Sequence, residues 1–124
     1  MTLDECQKAV VAAARKIYAT LPEGYAESVY EKAMAVEFRK EEVPYAIENN
    51  VEVLYEGECV GTQRLDFVID GRMAVELKAA ASLAKSHIAQ TRAYLKTTAF
   101  ERAVLINFPS PAKEEPQIEV IESE

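Results

Sequence analysis

Residues 65–78 read LDFVIDGRMAVELK and decide the fold, because two alternating apolar stretches flank the dipeptide Asp70-Gly71. The odd-numbered positions on both sides are apolar: Leu65, Phe67, Ile69, Met73, Val75 and Leu77. Facing residues of an antiparallel pair share one side of the sheet, so both sets are buried together only if Ile69 faces Met73. A two-residue turn would instead pair Ile69 with Arg72. The sequence therefore predicts a three-residue loop or a bulge, with a positive φ at Gly71.

The same register has consequences for both faces of this hairpin. Leu65 would face Leu77 in the core, and Asp66, Glu76 and Lys78 would share the opposite face. Two carboxylates and an ammonium at the edge of a sheet can hold a divalent cation and polarise a phosphodiester bond. The hairpin is thus a candidate site for metal-assisted phosphodiester hydrolysis.

Length, charge and cysteine content restrict the number of domains and the class of protein. The 124 residues predict a single domain spanning 1–124, with an acidic tail over about 109–124. Cys6 and Cys59 form no CxxC pair and no apolar signal segment opens the chain, so we expect reduced thiols in a cytoplasmic protein, with Cys59 in the core. No apolar run approaches the ~20 residues that span a bilayer, which predicts no membrane association. The net charge of −7 is unusual for a protein that binds nucleic acid.

The periodicity of apolar residues predicts the order ααβββαβ with one further edge strand. The predicted elements are helices over 3–20 and about 26–41, strands over 47–55, 59–69 and 73–78, a helix from an N-cap at Ser82 to about Thr98, a strand over 103–107, and an edge strand containing Ile118, Val120 and Ile121. The second helix is expected to bury Val29, Ala33 and Val36. This order predicts an α/β fold of three layers, in which helices flank a central mixed sheet of four or five strands.

Two helices carry further candidate residues. Glu27 and Tyr30 lie three residues apart at the start of the second helix and share a face. In the third helix one stripe runs through Leu83, His87, Gln90 and Tyr94. A helix that follows the strand of Glu76 packs back over the sheet, which can bring Gln90 and Tyr94 near the carboxylates.

Three strings together resemble a known family. Gly24 to Tyr30 matches GxxExxY, the string that names a family of small proteins in the PD-(D/E)XK nuclease superfamily. Asp66 and Glu76-Leu77-Lys78 resemble the later motifs of that superfamily, and Gln90 to Tyr94 is similar to the QxxxY string of its RecB-like exonuclease branch. The resemblance covers roughly residues 5 to 108 and implies a restriction-endonuclease-like fold.

The resemblance also implies roles for the matching residues. Asp66 and Glu76 would bind Mg²⁺ or Mn²⁺, with the Leu77 carbonyl as a further ligand and Glu27 touching the metal directly or through water. Lys78 would orient or help deprotonate the attacking water, and Gln90 and Tyr94 would position the substrate or the nucleophile. The implied activity is a metal-dependent nuclease whose partner is nucleic acid, with DNA favoured over RNA.

Other interpretations stay open at this stage. Asp66, Glu76 and Lys78 could form a surface ion-pair cluster, Glu27 could stabilise the helix dipole, and tyrosines such as Tyr94 could serve packing. A lone histidine such as His87 is usually structural. The chain could also be a non-catalytic nucleic-acid-binding or protein-binding module of the same fold. It could instead be a nuclease subunit active only in a larger assembly, with a second copy or another protein as its partner. A cationic rim of Arg64, Lys85, Arg92 and Lys96 is expected if it acts alone.

Overall fold

Three helices and five strands follow one another in the predicted order. The computed structural model describes residues 1–123 except for the side chains of Glu48 and Asn49, so Glu124 of the predicted acidic tail lies outside the described residues. The elements are α1 (Leu3–Thr20), α2 (Glu27–Lys40), β1 (Tyr45–Tyr55), β2 (Glu58–Ile69), β3 (Met73–Lys78), α3 (Lys85–Thr97), β4 (Arg102–Asn107) and β5 (Gln117–Glu122). In the part of the chain that the structure describes, no helix combines the length and apolar character needed to cross a membrane.

The strands form one mixed sheet in the order β1-β2-β3-β4-β5. Neighbouring strands are antiparallel except for β3 and β4, which are parallel. Parallel neighbours need a long crossover connection, and α3 supplies it. The predicted doubly buried strand is confirmed in β4, where Val104, Leu105 and Ile106 are fully buried.

Helices cover both faces of the sheet and give the three predicted layers. On one face, buried residues of α1 and α2 pack against the sheet in a cluster that includes Val10, Met34, Phe38, Phe67 and Ile106. On the other face, Tyr94 and Leu95 of α3 pack on a smaller cluster that includes Val68, Ala74 and Ala103. The part of the sheet that the helices cover is therefore apolar on both sides.

The turn between β2 and β3 has the predicted geometry. Ile69 pairs with Met73, which leaves a three-residue loop. Gly71 has φ +66°, as expected, and Asp70 also lies in the left-handed region with φ +51°. The need to bury the apolar residues of both strands on one face therefore outweighs the usual two-residue turn at Asp-Gly.

Two predictions about buried faces were wrong. Leu65 does not face Leu77 in a shared core, because Leu65 packs with α3 on the other side of the sheet. The alternation of β2 breaks between Leu65 and Phe67, where the pairing with β3 ends. In α2, Val29 and Val36 are exposed, and the buried stripe is Tyr30, Met34, Ala35 and Phe38. Both stripes repeat with the period of a helix, and the stripe that contains Tyr30 and Phe38 is the one that contacts the sheet.

Cys59 is exposed, which contradicts the prediction of a core thiol. The distal half of the β1–β2 hairpin extends beyond the packed layers, and Leu54, Tyr55 and Val60 are also exposed there. Alternating apolar residues form strands with or without a covering layer, so the pattern alone could not show that this arm lacks one. Cys6 is buried in α1, and both cysteines are free thiols.

The start of α3 also differs from the prediction. The N-cap is Ala84 and not Ser82, and the backbone N–H of Ala84 donates to His87 Nδ1 at 3.1 Å. His87 thus uses its ring to satisfy a backbone donor just before the helix, which supports the structural role considered for it. The acidic C-terminal segment forms the predicted edge strand, β5, next to β4.

Candidate active site

The site begins where β2 and β3 separate. Backbone pairing between them runs only from Ile69–Met73 to Phe67–Val75. Beyond it, the N–H of Asp66 donates to Glu76 Oε1 at 3.1 Å, and the N–H of Leu77 donates to Asp66 Oδ2 at 2.8 Å. The two carboxylates therefore occupy the gap between the strands and accept hydrogen bonds that a continuous ladder would satisfy with carbonyls.

Burial raises the pKa values of both carboxylates. Asp66 and Glu76 are 6% and 7% exposed. Desolvation and then the charge of Asp66 raise the pKa of Glu76 to about 8. Desolvation also raises the pKa of Asp66, although the Leu77 N–H and the cations Arg64 and Lys78 oppose it. A buried pair of like charges of this kind favours a proton or a cation between its members.

The six residues predicted as catalytic line one cavity of about 460 Å³. Its walls are formed by Glu27, Ser28, Glu31, Arg64, Asp66, Glu76, Lys78, Gln90 and Tyr94. The start of α2 forms one wall, α3 forms another, and the parted strands form the floor. The fold therefore brings together residues of four elements, α2, β2, β3 and α3, that are up to 67 positions apart in sequence, from Glu27 to Tyr94.

Comparison with models of protein families identifies the superfamily of the chain. The model of the PD-(D/E)XK nuclease superfamily matches residues 4–120. The chain belongs to the PD-(D/E)XK nuclease superfamily. PD-(D/E)XK nucleases generally use divalent metals. No protein among the curated sequences matches it.

Two solved structures share the fold of this PD-(D/E)XK chain. The crystal structure of SSO0001 gives a TM-score of 0.55 at 16% identity, over 95% of this chain and 63% of that one. An alkaline exonuclease (LHK-Exo) from Laribacter hongkongensis gives a TM-score of 0.51 at 10% identity, over 100% of this chain and 73% of that one. This chain spans less than two thirds of the length of SSO0001. At these identities the likeness shows the fold alone.

The PD-(D/E)XK chain offers hard oxygen donors that suit Mg²⁺ or Mn²⁺. Mg²⁺ usually keeps several waters and takes only one or two protein carboxylates, which matches Asp66 and Glu76. Among the described residues, no three His, Cys, Asp or Glu side chains gather closely enough to hold a metal. Glu27 therefore lies on the wall of the cavity without completing a group of three carboxylates. Partial desolvation and the charge of Asp66 raise the pKa of Glu27.

The two tyrosines singled out by the sequence have different surroundings. Tyr94 is 8% exposed, and burial followed by the charges of Glu76 and Asp66 raises its pKa, so its hydroxyl lies within the field of both carboxylates. Tyr30 stacks on Phe108 with ring centroids 4.1 Å apart and donates its hydroxyl hydrogen to the Leu21 carbonyl at 2.9 Å. Tyr30 thus fixes the start of α2 by packing, and Glu27 projects from the same turn into the cavity.

The sequence did not predict that Ser28 and Glu31 line the cavity. Glu31 lies one turn after Glu27, so the helical period could have indicated that it shares the face of Glu27. Its Oε1 accepts a hydrogen bond from Arg64 at 3.2 Å, which keeps this guanidinium beside the cavity. Nothing in the local sequence of Ser28 distinguishes it from an ordinary residue of the first helical turn.

The predicted cationic rim is only partly formed. Of its four residues Arg64 lines the active-site cavity, whereas Arg92 and Lys96 line a separate cavity of about 520 Å³ between the end of α3 and the end of β5. Lys85 is not among the residues that line either cavity. This separate cavity is the larger of the two, but none of the described residues that line it is a buried carboxylate, so its size does not make it the better candidate site.

A buried amide clamps the connection that carries the chain from Lys78 to α3. Asn107 Oδ1 accepts from the Ala80 N–H at 2.8 Å, and Asn107 Nδ2 donates to the Ala80 carbonyl at 3.0 Å and to Gln117 Oε1 at 2.8 Å. Gln117 Oε1 also accepts from the Leu83 N–H at 3.1 Å. Two side chains from β4 and β5 therefore hold the loop before α3, which sets the position of Gln90 and Tyr94.

The Asn107→Asp variant should be destabilised by ~2–4 kcal/mol, because the carboxylate loses both donor bonds and buries a charge against two acceptor oxygens. The free energy of unfolding in urea, followed by circular dichroism, measures this. Asn50→Asp makes the same change at an exposed position of β1 and should shift that free energy by less than ~0.5 kcal/mol. Equal effects of the two substitutions would show that the clamp does not stabilise the fold.

The raised pKa of Glu76 predicts how stability depends on pH when EDTA removes metal. Glu76 titrates at about 8 in the folded protein against an ordinary value of 4.5, so the folded state holds the proton more tightly. The resulting stabilisation is complete below pH 4.5 and is lost as the pH rises to about 8. Glu76→Gln cannot ionise, so between about pH 5 and 9 its unfolding free energy should rise relative to wild type by on the order of a few kcal/mol. Glu52→Gln, on the exposed hairpin arm, should run parallel to wild type, and a parallel curve for Glu76→Gln would contradict the assigned environment.

Proposed function

We propose that this PD-(D/E)XK chain is a metal-dependent nuclease that hydrolyses phosphodiester bonds, with DNA as the favoured substrate. The observation that carries the proposal is the pair of buried carboxylates, Asp66 and Glu76, in the gap between β2 and β3 with Lys78 on the same cavity wall. The proposal includes the finer assignments to the GxxExxY family and to the QxxxY branch, which are supported by Glu27, Gln90 and Tyr94 at the same cavity.

Asp66, Glu76 and the Leu77 carbonyl are the proposed ligands of Mg²⁺ or Mn²⁺. The bound cation would supply Lewis acidity at a phosphoryl oxygen and make water a better nucleophile. Glu27 is proposed to act through a bridging water, because it lies on the cavity wall and no group of three carboxylates forms among the described residues. Neutralisation of the buried pair explains why two carboxylates with raised pKa values share one gap.

The remaining residues orient the reactants. Lys78 orients the attacking water and stabilises the negative charge that grows on the phosphoryl oxygens. The water oxygen forms a new bond to phosphorus while the bond from phosphorus to one sugar oxygen breaks. The sugar oxygen leaves with the electron pair of that bond and takes a proton from solvent, and the attacking water gives up one proton to solvent. Gln90 and the Tyr94 hydroxyl, from adjacent turns of α3, position the substrate backbone.

The net charge of −7 favours one alternative function. Phosphate binding usually requires a basic surface, and among the described residues that line this cavity only Arg64 and Lys78 are cationic. A nuclease subunit that acts within a larger assembly would receive that basic surface from its partner. A non-catalytic module would not need a buried carboxylate pair, so the geometry favours an active subunit over a binding module.

Incubation of the purified chain with labelled single-stranded and double-stranded DNA and RNA tests the proposal. Mg²⁺, Mn²⁺ and EDTA form the three arms for each substrate. We expect cleavage with a divalent metal, none with EDTA, and faster cleavage of DNA than of RNA. Binding without cleavage under every condition would favour the module. Neither binding nor cleavage would leave the subunit as the surviving form of the proposal.

A further inference from the structure

A smaller cavity, distinct from the one that Arg92 and Lys96 line, adjoins the candidate active site. Its volume is about 280 Å³, and it lies between α2 and the base of the β1–β2 hairpin. It shares Ser28, Glu31 and Arg64 with the active-site cavity, so the two form one continuous groove. Three residues line the smaller cavity and not the active-site cavity: Lys32, Ala35 and Ile47. We call the smaller cavity the flanking subsite.

The chemistry of the flanking subsite differs from that of the active-site cavity. Its new polar group is the ammonium of Lys32, which is exposed and has no ion pair within the described part of the chain. Ile47 is 47% exposed and Ala35 is buried, so the other two described residues that line only this cavity are apolar. A cation next to an apolar wall suits a group that is anionic at one end and flat and apolar at the other.

Arg64 links the two cavities. Its guanidinium binds Glu31 Oε1 at 3.2 Å and lines both spaces. A guanidinium has five N–H donors in a fork that matches carboxylate and phosphate oxygens, so it can bind more than one partner at once. Lys78, Arg64 and Lys32 therefore follow one another along a groove whose carboxylates are Glu27, Asp66 and Glu76 at the active-site cavity and Glu31 at both cavities.

The size of the subsite limits its ligand. Clefts that bury small molecules begin at roughly 300 Å³, so a space of about 280 Å³ suits a group of about one nucleotide. The exposed face of Ile47 can contact a base or sugar only if that base is not covered by a pairing strand. Both points favour an unpaired nucleotide.

We propose that the flanking subsite binds the unpaired nucleotide next to the scissile phosphate, with Lys32 and Arg64 at its phosphate and Ile47 against its sugar or base. This inference rests on the proposed nuclease function. It assigns single-stranded nucleic acid, or a frayed end, as the substrate class of the groove. It also makes Lys32 a substrate-binding residue outside the metal site.

Lys32→Ala tests the subsite, because an exposed side chain can be removed without disturbing the core. On a short single-stranded DNA substrate we expect KM to rise roughly five- to tenfold, as for the loss of one charged contact, with a smaller change in kcat. The slope of log affinity against log salt should become shallower by about 0.7, the value for one phosphate on a single strand. Lys8→Ala removes an equally exposed ammonium from α1 and should leave KM and the slope at wild-type values.

A second substrate makes the test specific. When a neutral methylphosphonate replaces the phosphate next to the cleaved bond, Lys32→Ala and wild type should have the same KM. An unchanged KM and salt slope for Lys32→Ala on the normal substrate would overturn the subsite. If wild type cleaves nothing, the proposed nuclease function fails, and fluorescence anisotropy with the same strand decides the subsite. Weaker binding by Lys32→Ala than by Lys8→Ala supports it, and equal binding overturns it.

Discussion

The Asp66→Asn variant is expected to lose Mn²⁺ binding and phosphodiester cleavage together. An amide oxygen can still accept the N–H of Leu77, which donates to Asp66 Oδ2 at 2.8 Å in the wild-type chain, so the fold should persist. The amide lacks the charge that holds a hard cation. Loss of several kcal/mol of transition-state stabilisation lowers the rate by at least about a thousandfold. Electron paramagnetic resonance of free Mn²⁺ and single-turnover cleavage rates measure both effects.

Asp4→Asn is the matched control for this substitution. Asp4 is an exposed residue of α1 whose partner is Arg102, far from the carboxylate pair in the fold. It should bind Mn²⁺ and cleave at wild-type levels. If Asp66→Asn cleaves as fast as wild type, a contaminant or a different site produces the signal, and the assignment of the buried pair fails.

The Lys78→Ala variant should separate metal binding from turnover. The ammonium lines the cavity but is not an oxygen ligand, so Mn²⁺ affinity should stay at or above the wild-type value. Cleavage should fall by about a hundred- to a thousandfold, the usual consequence of removing one group that stabilises the charge of a transition state. The same resonance and single-turnover measurements apply.

Lys113→Ala controls for the loss of one positive charge. Lys113 is an exposed residue of the loop before β5, and its removal should change neither quantity. Loss of Mn²⁺ affinity in Lys78→Ala would show that the lysine shapes the metal site and does not act on the substrate. Wild-type cleavage by Lys78→Ala would remove it from the proposed mechanism.

The sequence was most informative where two constraints agreed. Burial of apolar residues on both sides of Asp70-Gly71 required Ile69 to face Met73, and a glycine able to take a positive φ stood at the right place. The same register brought Asp66 and Glu76 together. Val104 and its neighbours formed a short apolar run without alternation, which indicates a strand covered on both faces. Local patterns of this kind do not depend on the rest of the fold.

Predictions failed where tertiary packing chose between equivalent local patterns. In α2, the aliphatic stripe with Val36 and the aromatic stripe with Phe38 both have a helical period, and only contact with the sheet selects the second. The end of the β2–β3 ladder at Phe67 moved Leu65 to the other face, and no residue in the sequence marks that point. Arg92 shares a helix with Gln90 but lines a different cavity, because neighbouring positions of a helix point in different directions.

The position of a bound metal tests most directly whether Asp66 and Glu76 form the metal site. Crystals grown with Mn²⁺ and measured at a wavelength where manganese scatters anomalously would locate the ion without reference to activity. We expect one peak between Asp66 and Glu76, at ~2.0–2.6 Å from an oxygen of each carboxylate. A manganese peak elsewhere, or an empty gap between β2 and β3 in protein that cleaves nucleic acid in the presence of Mn²⁺, would contradict this expectation.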